Sequence, residues 1–198
     1  VRGLWTLDLG TGRFAPVDLG DGIEASLVTS ALVAPDGAVW VGTLGAGLRR
    51  VVPGEGGLTV YRAVADDPGS LASDEVTDLF QDRQGVLWVA TYDGLDRFDL
   101  ARSTAVRLRH DPDDPATLAS NDVRSILRTA DGTLYVGTDR SLDRSPDGRR
   151  FAHTVVDLSG RAVGGRSAHA VTALYEDRAG TVWVGTEGGG LYRIGEGG

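Results

Sequence analysis

The sequence predicts an all-β chain folded as a β-propeller, about four blades of four antiparallel strands, forming part of a larger ring. Three observations carry this. One phrase is written four times, as Gly37-Ala-Val-Trp-Val-Gly-Thr43, Gly85-Val-Leu-Trp-Val-Ala-Thr91, Gly132-Thr-Leu-Tyr-Val-Gly-Thr138 and Gly180-Thr-Val-Trp-Val-Gly-Thr186. The opening glycines lie 48, 47 and 48 residues apart, a period that suits one four-stranded blade. Each copy sets a run of β-branched and aromatic residues between glycine turns. The 29 glycines follow the repeat and so mark turns rather than disorder.

The elements follow in order. Residues 1–19 read as the end of a preceding blade, because Gly3-Leu4-Trp5-Thr6 matches the later third strand at Gly94-Leu95. Arg13 to Asp18 then reads as an outer strand, where Pro16 is tolerated at a free edge. Repeats are expected near 23–62, 71–109, 118–156 and 167–194, within one propeller region over 1–198. Each begins with an inner strand, at Val28, Val76, Val123 and Val171. A tight turn follows, with Asp and Gly supplying the side-chain cap and the positive φ that hairpins need. The second strand is apolar on both faces, as a strand buried between neighbouring blades should be. Third strands start at Leu48, Leu95, Leu142 and Leu191, and the fourth are more polar. The linkers Asp66 to Ser73 and Asp111 to Ser120 are acidic, contain proline and resemble each other. Two closures are open: a four-blade ring sealed by the outer strand around Phe14, or an open arc. The third strand occurs both at Gly3 and at Gly190, which favours the arc.

Composition excludes several classes. At 198 residues the chain can bury a sizeable core. A net charge of −8 argues against nucleic acid, which needs a basic footprint, and against anionic lipid. With no cysteine there is no disulfide framework, thiolate metal site or cysteine nucleophile. The acids Asp66, Asp67, Asp111, Asp113 and Asp114 do not repeat a calcium loop, so no metal is expected. No cofactor is expected either, since the glycine runs are turns and open no helix. The chain starts at Val1 and has no Met, which reads as a piece of a longer polypeptide. Membrane contact is therefore expected only through segments absent from it.

The repeated residues resemble the two-component regulator propeller repeat. Its pattern runs Asn/Asp-Asp/Glu-Val, an inner strand, Asp-x-x-Gly, Leu-Trp-Val-Gly-Thr and Gly-Gly-Leu-x-Arg. Asn121 to Thr138 and Asp177 to Arg193 follow it closely, and Asp74 to Arg97 follows it with Ala90 for Gly. The first copy has Ala34 where the Asp belongs. The third has Thr129 there, Tyr135 for Trp, and Arg140-Ser141 for the glycines. The resemblance implies a periplasmic or otherwise extracytoplasmic sensor propeller, placed before a membrane span and a histidine kinase or diguanylate cyclase. It implies a small-molecule ligand, often a sugar, a homodimer formed through the full-length receptor, and an output enzyme outside this chain.

Candidate residues divide by position. Trp40, Trp88, Tyr135 and Trp183 offer faces for stacking a sugar, but each occupies the same buried-strand position and reads as inter-blade core. Function is expected on the face formed by the loops entering the inner strands and those after the second strands. That face holds Asp74, Glu75, Tyr92, Asp93, Asn121, Asp122, Asp139, Arg140, His169 and Glu187. Acids and amides there can accept hydrogen bonds from hydroxyl groups, and Tyr92 and Arg140 can stack or donate. Taken singly, each also reads as a solvated turn residue. No catalytic residue is assigned, because His169, with Ser167 and Glu176 nearby in sequence, forms no recognisable triad. A lyase or hydrolase using His169 at the channel, and a protein-interaction scaffold, stand as rival classes.

Overall fold

In the computed structural model, which describes residues 4–20, 27–52, 57–154 and 170–194, the strands form five separate antiparallel sheets. A two-stranded sheet comes first, β1 (Trp5–Asp8) and β2 (Arg13–Pro16). The first full blade has β3 (Leu27–Val33), β4 (Val39–Leu44), β5 (Leu48–Val52) and β6 (Gly57–Tyr61). The second has β7 (Val76–Gln81), β8 (Leu87–Thr91), β9 (Gly94–Asp99) and β10 (Thr104–Leu108). The third has β11 (Val123–Arg128), β12 (Leu134–Thr138), β13 (Leu142–Ser145) and β14 (Ala152–Thr154). The last has three strands, β15 (Val171–Glu176), β16 (Val182–Thr186) and β17 (Gly190–Ile194). The described residues contain no helix.

The innermost strands β3, β7, β11 and β15 lie side by side. Each carries a bulge one residue after its leading valine, at Thr29, Thr77, Arg124 and Thr172. A bulge frees the extra residue from its own ladder and re-aims its side chain. Thr29 Oγ1 donates to the Val76 carbonyl at 2.8 Å and Thr77 Oγ1 to that of Val123 at 2.7 Å. The small residue of the Trp-Val-Gly-Thr phrase accommodates the next blade here. A Cβ on Gly42 would fall 2.7 Å from Val76 Cγ1, and one on Gly137 2.6 Å from the Val171 carbonyl.

The core lies between blades. Trp40 packs with Leu79, Leu87 and Phe98 of the next blade, and Trp88 belongs to a second cluster with Ile126 and Leu134. Tyr135 does the same with Val182 and Val184. The expected core role of these aromatics holds for the first three blades. Trp183, in the last blade, is only half-buried.

The acidic linkers are tied down by a device the sequence did not reveal. Asp96 and Asp143 sit on the third strands, fully buried, and accept the backbone N–H of Ala72 and Ala119 at 2.7 and 2.8 Å. Directly across on the fourth strands stand Arg107 and His153. Arg107 donates to the carbonyls of Asp67, Ser70 and Leu71; His153 meets the Pro115 carbonyl through Nε2 and Asp143 through Nδ1.

Ring closure by the outer strand around Phe14 does not occur. β2 pairs only with β1, and β17 only with β16, among the described residues. Leu4 and Val17 of the first sheet instead pack with Val41 and Val51 of the first full blade, as one blade on its neighbour. The strands form an open arc.

Candidate functional site

Backbone hydrogen bonds join the two sets of loops on a single face. Gly45 and Gly47 donate to the Asp74 carbonyl, Gly94 to that of Asn121, Asp139 to that of Asp122, and Glu187 to that of Ala170. Tyr92 donates to the carbonyl of Glu75. Nine of the ten sequence-predicted residues therefore share this face; His169 lies outside the described residues.

Three of the nine are engaged in holding the loops. Asp74 accepts the Ala63 N–H at 2.8 Å and the Arg62 guanidinium at 2.9 Å. Asn121, one repeat later, accepts the His110 N–H at 2.7 Å. Asp93 pairs with Arg109, which also donates to the Asp93 carbonyl. Two others, Glu75 and Arg140, are exposed. The Arg140 N–H is taken by Thr138 Oγ1 at 3.2 Å. Asp139 is half-buried, with Oδ1 enclosed and without a hydrogen-bond partner among the described residues.

Of the remaining three, Asp122 and Glu187 converge on Arg124, which sequence reasoning missed, and Tyr92 stands on the same face. Arg124 occupies the bulge of β11, where the other inner strands have Thr29, Thr77 and Thr172. Its longer side chain reaches up to the loop face. Nε and Nη2 each donate to one oxygen of Asp122 at 3.0 Å, a bidentate fork, and Nη1 donates to Glu187 Oε2 at 2.9 Å. The Asp122 hydrogen bonds raise the Arg124 pKa above the ordinary guanidinium value, with smaller contributions from the charges of Asp122 and Glu187. The departure from Thr at this one repeat position was the signal that could have found it.

The cluster stays partly open to solvent. Arg124 is 28% exposed, Asp122 29% and Glu187 36%, and Tyr92 presents a half-open ring, 42% exposed. Two carboxylates thus share one guanidinium on a face that also carries an exposed aromatic ring. Such a site has the chemistry to hydrogen-bond hydroxyl groups and to pack an apolar ring face. Among the described residues no cluster of His, Cys, Asp and Glu is arranged to hold a metal ion.

Radial antiparallel sheets around adjacent inner strands define a β-propeller. The family model of the two-component regulator propeller matches three of its repeats, at residues 70–93, 117–140 and 165–188. Among solved structures, the chain is similar to the extracellular domain of a protein described as the hybrid two component system BT3049 from B. thetaiotaomicron. The TM-score is 0.68 at 20% identity, over 98% of this chain and 24% of that one. A second extracellular domain from the same organism, of BT4673, described as a one component system, gives 0.50 at 17% identity over 98% and 31%. Virginiamycin B lyase from Staphylococcus aureus gives 0.68 at 12% identity over 96% and 61%. At these identities the likeness is one of fold. The chain spans about a quarter to a third of the two extracellular domains. No curated protein matches the sequence.

Proposed function

We propose that this propeller is the ligand-sensing part of a transmembrane signalling receptor of the histidine kinase or diguanylate cyclase type, carried outside the cytoplasm and not itself catalytic. The observation that carries the reading is the Arg124 cluster, built on repeats of the two-component regulator type. The cluster is a polar site on the same face as an open aromatic ring, and its one guanidinium is already paired with two carboxylates, which leaves it net negative. A neutral, hydroxyl-rich small molecule such as an oligosaccharide suits it, because hydroxyls can both donate to the carboxylates and accept from Arg140. A strongly anionic ligand would meet Glu75, Asp93, Asp122 and Glu187 on the same face. The receptor is expected to act as a homodimer, with its output enzyme elsewhere in the protein.

The test is a thermal-shift screen of neutral oligosaccharides against the chain, repeated with Tyr92→Ala and Arg124→Ala. Stabilisation lost in both variants, without conversion of the sugar, supports a sensor site. Conversion of the sugar would establish an enzyme instead.

A further inference from the structure

A cavity of about 490 Å³ opens between β1–β2 and the first full blade, and its walls are mostly apolar, with Thr6 and Asp18 among them. We propose that it is the seat of a tryptophan from a further blade of this same repeat, carried on a strand that would pair with β1. The assignment comes from the strand registers, which align the cavity wall with the surroundings of Trp40.

Each register fixes one equivalence. Val39 pairs with Val51, and Val51 with Leu58. One blade on, Leu87 pairs with Phe98, and Phe98 with Ala105. Ala31 pairs with Val41 as Leu79 pairs with Val89. Val39, Val51, Leu58 and Ala31 line the cavity. Their counterparts Leu87, Phe98, Ala105 and Leu79 are all buried in the cluster that contains Trp40.

The opposite wall agrees. Leu48 pairs with Tyr61 beside Trp40, and the Val17 N–H donates to the Leu4 carbonyl beside the cavity. Leu4 and Val17 therefore take the places of Leu48 and Tyr61. What the cavity lacks is the central indole. Trp40 sits 5.7 Å from the Tyr61 ring and 6.0 Å from that of Phe98, and among the described residues no aromatic side chain takes the equivalent position against Val17 and Val51. The uncovered wall is exposed accordingly: Leu58 is 36% accessible against 6% for Ala105. The complementary occupant is thus an inner strand and a Trp-Val-Gly-Thr strand, the two elements that precede a third strand in every full blade.

The chain supplies its own probe. A copy of residues 71–93, joined directly to Gly3, places an inner strand and a tryptophan strand ahead of β1 at the native spacing of the second blade. The extension is expected to raise Tm by roughly 5 °C or more and to lower binding of an apolar-surface dye. The same extension with its tryptophan changed by Trp88→Ala in the copy, and the extended chain with Leu58→Asp, should lose most of both effects. An equal rise with tryptophan or alanine, or no rise, would overturn the assignment. Should the extended chain fail to fold, the segment is added to the unmodified chain as a peptide, and only the tryptophan form should stabilise it; stabilisation by neither or by both overturns the proposal. A second copy of the chain is the competing occupant, since Leu191 of the last blade is 67% exposed. Sedimentation showing self-association abolished by Trp183→Ala would give the seat to that copy and overturn the proposal.

Discussion

The carboxylate of Asp82 accepts the indole N–H of Trp88 at 3.2 Å, across the corner between an inner strand and the strand that follows it. Its other oxygen takes the N–H groups of Gln84 and Val86, closing the turn, and Arg128 of the next blade donates to Oδ2 at 2.8 Å. One side chain thus shapes a hairpin, satisfies a buried indole and ties two blades. Asp177 repeats the bond to Trp183 at 2.9 Å. Where the aspartate is missing, the partner changes too. Thr129 accompanies Tyr135, which has no indole N–H, and Trp40, facing Ala34, is covered by the Arg50 guanidinium at 5.9 Å.

Asp82→Ala should therefore cost about 2–4 kcal/mol, because it leaves a buried indole N–H and the Arg128 guanidinium short of an acceptor. Asp177→Ala should cost less, because that turn is open to solvent. Urea denaturation of the two variants checks the order; equal losses would contradict it.

The pH dependence should contain a contribution from Asp96. Burial raises its pKa to about 6, against the opposing Ala72 hydrogen bond and the charge of Arg107. A carboxyl whose folded pKa exceeds its unfolded value binds its proton more tightly in the fold. Its contribution is full below about pH 4 and is lost as pH rises to about 6. Asp96→Asn keeps an acceptor for Ala72 but cannot ionise, and should remove a stability change of roughly 2–3 kcal/mol across that interval. Denaturation midpoints across the interval read it directly, and an unchanged slope would refute the assignment.

Gly137→Ala should destabilise the seam between the third and last blades by about 1–3 kcal/mol. Its new Cβ would lie 2.3 Å from Ser125 Oγ and 2.6 Å from the Val171 carbonyl. Neither the bulged strand nor the backbone oxygen can move without disturbing the inner-strand ladder. The second blade already carries Ala90 at this position and remains buried there, so Ala90→Gly should cost no more than about 1 kcal/mol. Thermal unfolding of the pair checks the contrast.

The fold was legible because its determinants are local and repeated. Asp82 and Trp88 are six residues apart, and the glycine turns, apolar second strands and leading valines recur at one period. The loop face was legible for the same reason, since blade topology alone puts Glu75 beside Tyr92. The use of each residue was not. Asp74 and Asn121 look like ligand-binding groups in sequence, yet both accept N–H groups eleven residues upstream, a contact that appears only once the linker has folded back. Asp96 and Asp143 stand in strands that read as ordinary third strands, and only the returning linker explains a buried carboxylate there. Arg124 was hidden by its bulge, which turns an inner-strand residue toward the face.

Chemical-shift mapping of backbone amides during titration with neutral oligosaccharides tests the central claim most directly. The account predicts shifts at Tyr92, Asp122, Arg124 and Glu187, absent in Arg124→Ala, with the sugar recovered unchanged. No shift on this face with any member of the series, or shifts confined to the opposite turns around Asp82 and Asp131, would contradict it.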